Sequence, residues 1–510
     1  MNKSENNKRI AKNTLLLYFR MFMIMGVSLY TSRIILSTLG IVDFGIYNVI
    51  GGIVVMFEFL NVTMATGTQR FLTFQLGKKN FKELKKTFST ALIIHIFLAL
   101  VILILAETIG LWFLNYKMNI PADRMYAAQW VFQFSVFASL VSIVQVPYNA
   151  IIIAHERMNI YAYVSILEVI LKLLLLYLLL IVKYDKLIVY AILIFLVNTI
   201  VIMIYRIYCT RQYTECKFQL VHDKQMYKSM LSFSGWNIFG CMAATGANQG
   251  INILLNLFFG PAVNAARAIS YQVSNAINGF NNNFQTAVTP QITKLYAENK
   301  ITDLHTLLFQ NAKFVFLLLY LISLPVLFEL NILLFWWLKV VPENTLLFCR
   351  IILVHSLIYS TTRPFIMAIH ATGKMKFLNL TAGISLLMVL PISYLSLKLG
   401  APSYTPFIIY IIGTIVEFSF ELYILNKYIN LSFIDFLKKT IIPISKVSLI
   451  SIILPTLVIW YLDAGLMRLA LIILTSSICI LFSSYFIAID HLDRIKVRTY
   501  LMNRIQFSRK

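Results

Sequence analysis

The chain has 510 residues, of which 59% are hydrophobic and only 13% charged, against about 25% charged residues in soluble domains. These proportions exclude a soluble globular protein and indicate a polytopic, all-α membrane protein. The formal net charge of +23 would suit nucleic acid in a soluble chain, but in a membrane protein it arises first from retention of Lys and Arg on the cytoplasmic side, so no nucleic-acid partner is expected.

A membrane-spanning helix needs about 20 mainly apolar residues. Fourteen stretches qualify, beginning near residues 14, 45, 86, 125, 158, 187, 228, 262, 305, 345, 377, 405, 441 and 465. With the N-terminus placed inside, the outer loops hold Lys117, Arg124, Lys183, Lys186, Lys339 and Lys398, and the opposite side holds several times as many basic residues. This asymmetry predicts fourteen helices with both termini cytoplasmic. Lys3, Lys8, Arg9 and Lys12 precede a full-length span without a small-residue processing site, so no cleaved signal is expected. Cys209, Cys216, Cys241, Cys349 and Cys479 show neither disulfide nor metal-ligand spacing.

The first span carries Arg20 and Arg33. Charge at a span's centre costs about 2.5–3.5 kcal/mol on insertion scales. These arginines either snorkel, pair with an acid such as Glu58 of the second span, or meet something anionic. In the fifth span Lys172 follows Glu168 by four residues, placing the two on one helical face in the favourable order, as a satisfied pair or as part of a cavity wall.

The seventh and eighth spans are unusually polar. Asn248, Asn252 and Asn256 recur every four residues, and Arg267, Gln272, Asn275, Asn278, Asn281, Asn282, Asn283 and Gln285 follow. Such amides either tie helices together or face a sugar. Gly235, Gly240, Gly246 and Gly250 would let the seventh span bend.

Lys313, Arg350 and Arg363 lie in the ninth and tenth spans, and Glu417 and Glu421 share a face of the twelfth. Two adjacent bare carboxylates are unfavourable, so this pair is a candidate for protonation or cation coupling. His95 and His355 stand isolated within their spans. Glu107, Glu329, Lys446 and Arg468 lie near span ends, where long side chains can snorkel, and are set aside. The remaining deep cations outnumber the acids Glu58, Glu168, Glu417 and Glu421. Deep cations without an acid must face a hydrated cavity rather than lipid. Such a cavity suits a diphosphate, which guanidinium groups grip bidentately.

The basic stretch "HLDRIKVR" from His491 is expected to serve as a membrane-surface anchor. There is no nucleophile–base constellation, phosphate loop or metal-ligand spacing. A non-enzymatic protein without a cofactor is expected.

Internal repetition is visible. Gly40 and Gly260, like Glu83 and Asp303, are 220 positions apart, and "PYNAIIIAHERM" from Pro147 recurs as "PFIMAIHATGKM" from Pro364. A six-helix unit thus occurs twice in the same orientation, an arrangement found in transporters whose path lies between the halves. The implied division is 1–215, 216–430 and a C-terminal pair of helices with the tail, 431–510.

The stretch Arg33-x6-Gly40-x-x-x-Phe44-Gly45-x-Tyr47 resembles the first-loop signature of polysaccharide (O-antigen type) flippases of the multidrug/oligosaccharidyl-lipid/polysaccharide exporter superfamily. The resemblance covers nearly the whole chain, with two six-helix lobes, two extra helices and short loops. It implies a V-shaped pair of bundles that moves undecaprenyl-diphosphate-linked oligosaccharide across a bacterial inner membrane by alternating access, with membrane lipids and polysaccharide polymerase machinery as further partners. On this reading Arg20, Arg33, Arg267, Lys313, Arg350 and Arg363 meet the diphosphate and Asn248 and Asn252 the sugar. Glu58, Glu168, Lys172, Glu417 and Glu421 supply coupling or counter-ions. A multidrug exporter of the same superfamily would want a net acidic cavity and typically twelve helices. A polysaccharide polymerase or ligase would want a large basic outer loop, and stretches such as "NYKMNIPADR" from Asn115 are short.

Overall fold

A computed structural model describes residues 3–57, 64, 68–69, 71–76, 80–155, 157–372, 375–488 and 494. Glu58, the Arg20 side chain and the basic stretch at 491–498, apart from Arg494, lie outside the described residues. Among the described residues there is no strand. An apolar chain in lipid must satisfy every backbone N–H and C=O within itself, and helices do so.

The helices are α1 (Lys3–Phe57), α2 (Phe81–Leu105), α3 (Leu111–Tyr116), α4 (Met125–Ala154), α5 (Met158–Ile181), α6 (Lys186–Gln212), α7 (Lys224–Phe259) and α8 (Pro261–Ala297). They are followed by α9 (Ile301–Leu338), α10 (Thr345–Thr372), α11 (Met375–Lys398), α12 (Thr405–Ile429), α13 (Phe433–Phe436), α14 (Ile442–Tyr461) and α15 (Leu466–Ser483). Among the described residues eleven segments are long and apolar enough to cross a membrane. The difference from fourteen has two causes. The first two expected spans form the single element α1, bent at Gly40, and the amide-rich α7 and α8 fall short in apolarity. The chain is a polytopic all-α membrane protein.

The repeat is visible in the backbone. Helices starting at Phe81, Met125, Met158 and Lys186 are matched by helices starting at Ile301, Thr345, Met375 and Thr405, each 217–220 residues later. The turns match as well. Gly40 has φ 83° and ψ 172°, and Gly260 has φ 78° and ψ −179°. That region is essentially closed to residues with a Cβ. Pro261 then opens α8, where its missing N–H is not needed.

By packing, the chain forms two compact units. The first comprises Met1–Ile269, Trp337–Thr345 and Asn379–Gly413, and the second Ser270–Trp336, Leu346–Leu378 and Thr414–Lys510. The core of the first unit joins Ile46, Val49, Ile50 and Ile53 of α1 to Val131 and Phe132 of α4 and Leu187 of α6. Its two Gly turns meet within that unit. A Cβ on Gly45 would lie 1.9 Å from the Pro261 carbonyl oxygen, so only glycine lets the chains approach there. Asp43, in the turn that follows Gly40, receives Arg124 Nε at 2.8 Å, and the same guanidinium reaches Asp185 at 2.7 Å. Asp185 also caps α6 by accepting from the N–H groups of Leu187 and Ile188.

The second unit is built around Phe365, Phe418 and Phe436, whose ring centroids are 5.2–5.5 Å apart. The last two long helices dock on α9 through polar ties. Lys313 Nζ donates to the Ala488 carbonyl at 2.9 Å, Tyr320 Oη donates to that of Ser448 at 3.1 Å, and Arg468 pairs with Glu329.

Candidate functional site

In the first unit, α1 and α5 enclose a cavity of about 270 Å³. Val27, Ser28 and Thr31 line it from α1, and Ser165, Glu168 and Lys172 from α5. Lys172 Nζ donates to Glu168 Oε1 at 2.6 Å, and both side chains are about one-third exposed. The i, i+4 pair is therefore also a cavity wall. Arg33, on α1, is half-buried and has no ion pair among the described residues.

The amides of α7 mostly tie helices together. Arg267 is buried, and its Nη2 donates to the Asn248 side-chain and backbone oxygens at 2.6 and 2.8 Å. Asn264 Nδ2 donates to the Asn252 backbone and side-chain oxygens at 2.6 and 2.8 Å, and Asn252 Nδ2 donates to the Asn48 carbonyl at 3.3 Å. Asn256 bonds the backbone of Asn119. At bilayer depth such amides replace water as partners for buried backbone. Asn248 and Arg267 thus come together, with Asn252 one turn away on α7.

In the second unit a polar seam runs between α10 and α12. His355, Tyr359 and Arg363 are spaced by four residues on α10 and share one face. His355 Nε2 bonds Thr414 Oγ1 at 3.1 Å, and its ring stacks on Tyr359 with centroids 5.9 Å apart. The Arg363 guanidinium lies 5.7 Å from the Tyr359 ring centroid and reaches the phenol oxygen at 3.4 Å. Glu417 and Glu421 lie within electrostatic range of this group. Glu421 is 1% exposed, and its Oε2 has no hydrogen-bond partner among the described residues. Arg363 therefore has Tyr359 one turn before it on the same helix and Glu421 across the seam on α12, and only the second of these lies beyond what chain spacing reveals.

The other expected residues lie elsewhere. Lys313 is buried and engaged by the Ala488 carbonyl, and Arg350 is exposed on α10. In α8, Ser274 and Asn278 bond Ser356, and Gln285 accepts from Asn311 at 3.2 Å, so this amide stripe binds α8 to α10 and α9. Sequence reasoning missed the Asp43–Arg124–Asp185 cluster, because Arg124 read as a topological charge. It also missed the Glu329–Arg468 pair, because both residues read as end-of-span groups. Neither carries a local signal, since the partners are 81, 61 and 139 positions apart.

The solved lipid II flippase MurJ in an inward closed conformation is similar in fold, with TM-score 0.70 and 12% identity over 93% of this chain and 98% of that one. An inward-facing multidrug resistance MATE family transporter of the MOP superfamily has TM-score 0.64 and 14% identity, covering 82% of this chain and 98% of the other. A solved structure of the MATE multidrug transporter DinF-BH has TM-score 0.61 and 13% identity, covering 83% of this chain and 96% of that one. At such identities the likeness concerns the fold. No curated protein matches the sequence. The model of the polysaccharide biosynthesis protein family matches residues 10–296, more than half of the chain, and the protein belongs to that family.

Proposed function

We propose that this protein is a flippase that carries undecaprenyl-diphosphate-linked oligosaccharide repeat units across the bacterial inner membrane for surface polysaccharide synthesis. The observation that carries this reading is family membership joined to a hydroxyl- and charge-lined cavity in the same matched region. A sugar needs many neutral donors and acceptors, which Ser28, Thr31 and Ser165 offer, and Lys172 adds a cation. Arg20, Arg33, Arg267, Arg350 and Arg363 would serve the diphosphate. Lys313 and Arg267 carry less of that role, because their donors already bond neighbouring helices, and Asn252 is engaged in the same way among the amides that would meet the sugar. Segments 1–215 and 216–430 would rock against each other to alternate access, with 431–510 flanking the lipid tail. Glu417 and Glu421, beside Arg363, would couple a proton or cation to that motion. An inside-negative potential favours outward movement of negative charge by about 2.3 kcal/mol per charge per 100 mV.

The test is genetic. Deleting the gene and assaying lipid-linked glycan in each leaflet should show complete repeat units accumulating in the inner leaflet. Accumulation of unpolymerised units in the outer leaflet would assign a polymerase role instead. The buried carboxylates at 417 and 421 would also suit a cationic drug, as in an exporter. Unchanged glycan together with lost resistance to cationic dyes would establish that second reading.

A further inference from the structure

Away from this seam and the α1–α5 cavity, a groove of about 470 Å³ opens on the first unit between α2, α4 and α6. Its volume falls in the roughly 300–1,000 Å³ range of small-ligand sites. The wall is apolar and faces outward. Leu92 and Val144 are at least half-buried, whereas Ile96 is 42% and Met203 is 56% exposed, so the groove is open along its side. Phe97 and Leu100 extend the exposed apolar surface next to it.

One end of the groove has the opposite chemistry. Arg206, on the last two turns of α6, and Lys217, just past Cys216, both line it and are both exposed. Neither has an ion pair among the described residues. The nearest acid in sequence, Glu215, is taken by His155 at 2.7 Å. Tyr148 and Thr210 add hydroxyls beside the two cations. An apolar slot open to the side, with two cations at the mouth where α6 ends, matches an amphiphile with a phosphate head and a hydrocarbon tail. Basic pockets between membrane helices recognise anionic lipid head groups by this means.

We infer that this groove binds one anionic phospholipid of the surrounding bilayer, with its phosphate between Arg206 and Lys217 and an acyl chain along Leu92, Ile96 and Met203. The site is distinct from the α1–α5 cavity and needs no transport activity. A bilayer lipid fits better than a bulky glycolipid, because the groove lacks the hydroxyl lining that a sugar requires beyond Tyr148 and Thr210.

The test uses the full-length protein in zwitterionic nanodiscs, with phosphatidylglycerol added and bound lipid counted by native mass spectrometry. Wild type should retain phosphatidylglycerol, and the Arg206→Ala/Lys217→Ala double variant should lose retention at least fivefold. Lys183→Ala/Lys398→Ala, which removes two other exposed lysines, should not. Met203→Trp fills the slot with both cations intact and should also lose retention, guarding against a purely electrostatic explanation. Equal retention by the double variant would overturn the assignment. So would full competition by tail-free glycerophosphoglycerol, or displacement by polyprenyl phosphate at lower concentration than phosphatidylglycerol. None of these readouts depends on glycan export, so failure here leaves the flippase reading to its own test.

Discussion

Arg468 of α15 and Glu329 of α9 are joined by two hydrogen bonds of 2.6 and 2.9 Å, and Glu329 is only 1% exposed. The helix geometry of α9 breaks at Glu329, where ψ is 19°. Two residues that read as peripheral are thus a pair with a buried carboxylate and a partly buried guanidinium, tying α15 to α9 within the second unit. Removing one member of such a pair costs about 3–5 kcal/mol, whereas replacing both with apolar residues is often neutral. Glu329→Leu or Arg468→Leu alone should lower the melting temperature sharply, and the double variant should recover most of the loss. Additive losses in thermal unfolding would refute the coupling.

Gly45→Ala is expected to disrupt the first unit, since its Cβ would sit 1.9 Å from a backbone oxygen that cannot rotate away. Gly26→Ala has open space around it and serves as control. Membrane-inserted yield and detergent stability should fall for the first and hold for the second.

Arg20→Ala, Arg33→Ala and Arg350→Ala should each reduce glycan export while insertion stays normal. A hydrogen bond to a charged partner contributes about 1.5–3 kcal/mol, so a lost phosphate contact predicts a drop of about tenfold or more. Full export by all three single variants would remove these residues from the cargo site.

Glu421→Gln keeps shape and removes charge at a carboxyl facing the α10–α12 seam. If this carboxyl couples an ion, export should lose its dependence on the ion gradient while cargo binding persists. Gradient-driven export unchanged from wild type would exclude Glu421 from coupling. Tyr359→Phe, which removes the phenol near Arg363, should weaken export less.

A pH effect is expected at Glu215, outside the spans. Burial raises its carboxyl pKa, but the His155 bond and a backbone N–H outweigh that, so the carboxyl lies below the usual carboxylate range. A folded pKa below the unfolded one means stability that is present above the unfolded value and lost as pH falls through the folded value. Melting temperature should therefore fall on acidification below about pH 4.3, the ordinary Glu value, and Glu215→Gln should flatten that limb.

How much of this could be read along the chain depended on range. Gly40 and Gly260 were legible as a repeat because they stand 220 positions apart, while their shared positive-φ, extended-ψ turn was seen only in the backbone. The Glu168–Lys172 pair was legible because four residues make one helical turn. Asn248 and Asn252 were legible as a polar stripe for the same reason, but their bonding to Arg267, Asn264 and Asn48 was not. The first-loop stretch carried the family resemblance, yet the pairing of Asp43 within it was not legible, because Arg124 and Asp185, with which it clusters, come from other loops.

By itself the sequence determined the solvent and the secondary structure. A chain of this hydropathy can survive in lipid only as helices that satisfy their own backbone, and the repeated spacing of glycines and prolines set where those helices begin and turn. Only the tertiary structure decided which charges meet. It placed Arg468 against Glu329, Lys313 against a helix-end carbonyl, and Arg363 beside Tyr359, Glu417 and Glu421. In a low-dielectric interior the partner of a charge is whichever opposite group packing brings within a few ångströms, and packing joins residues far apart in the chain.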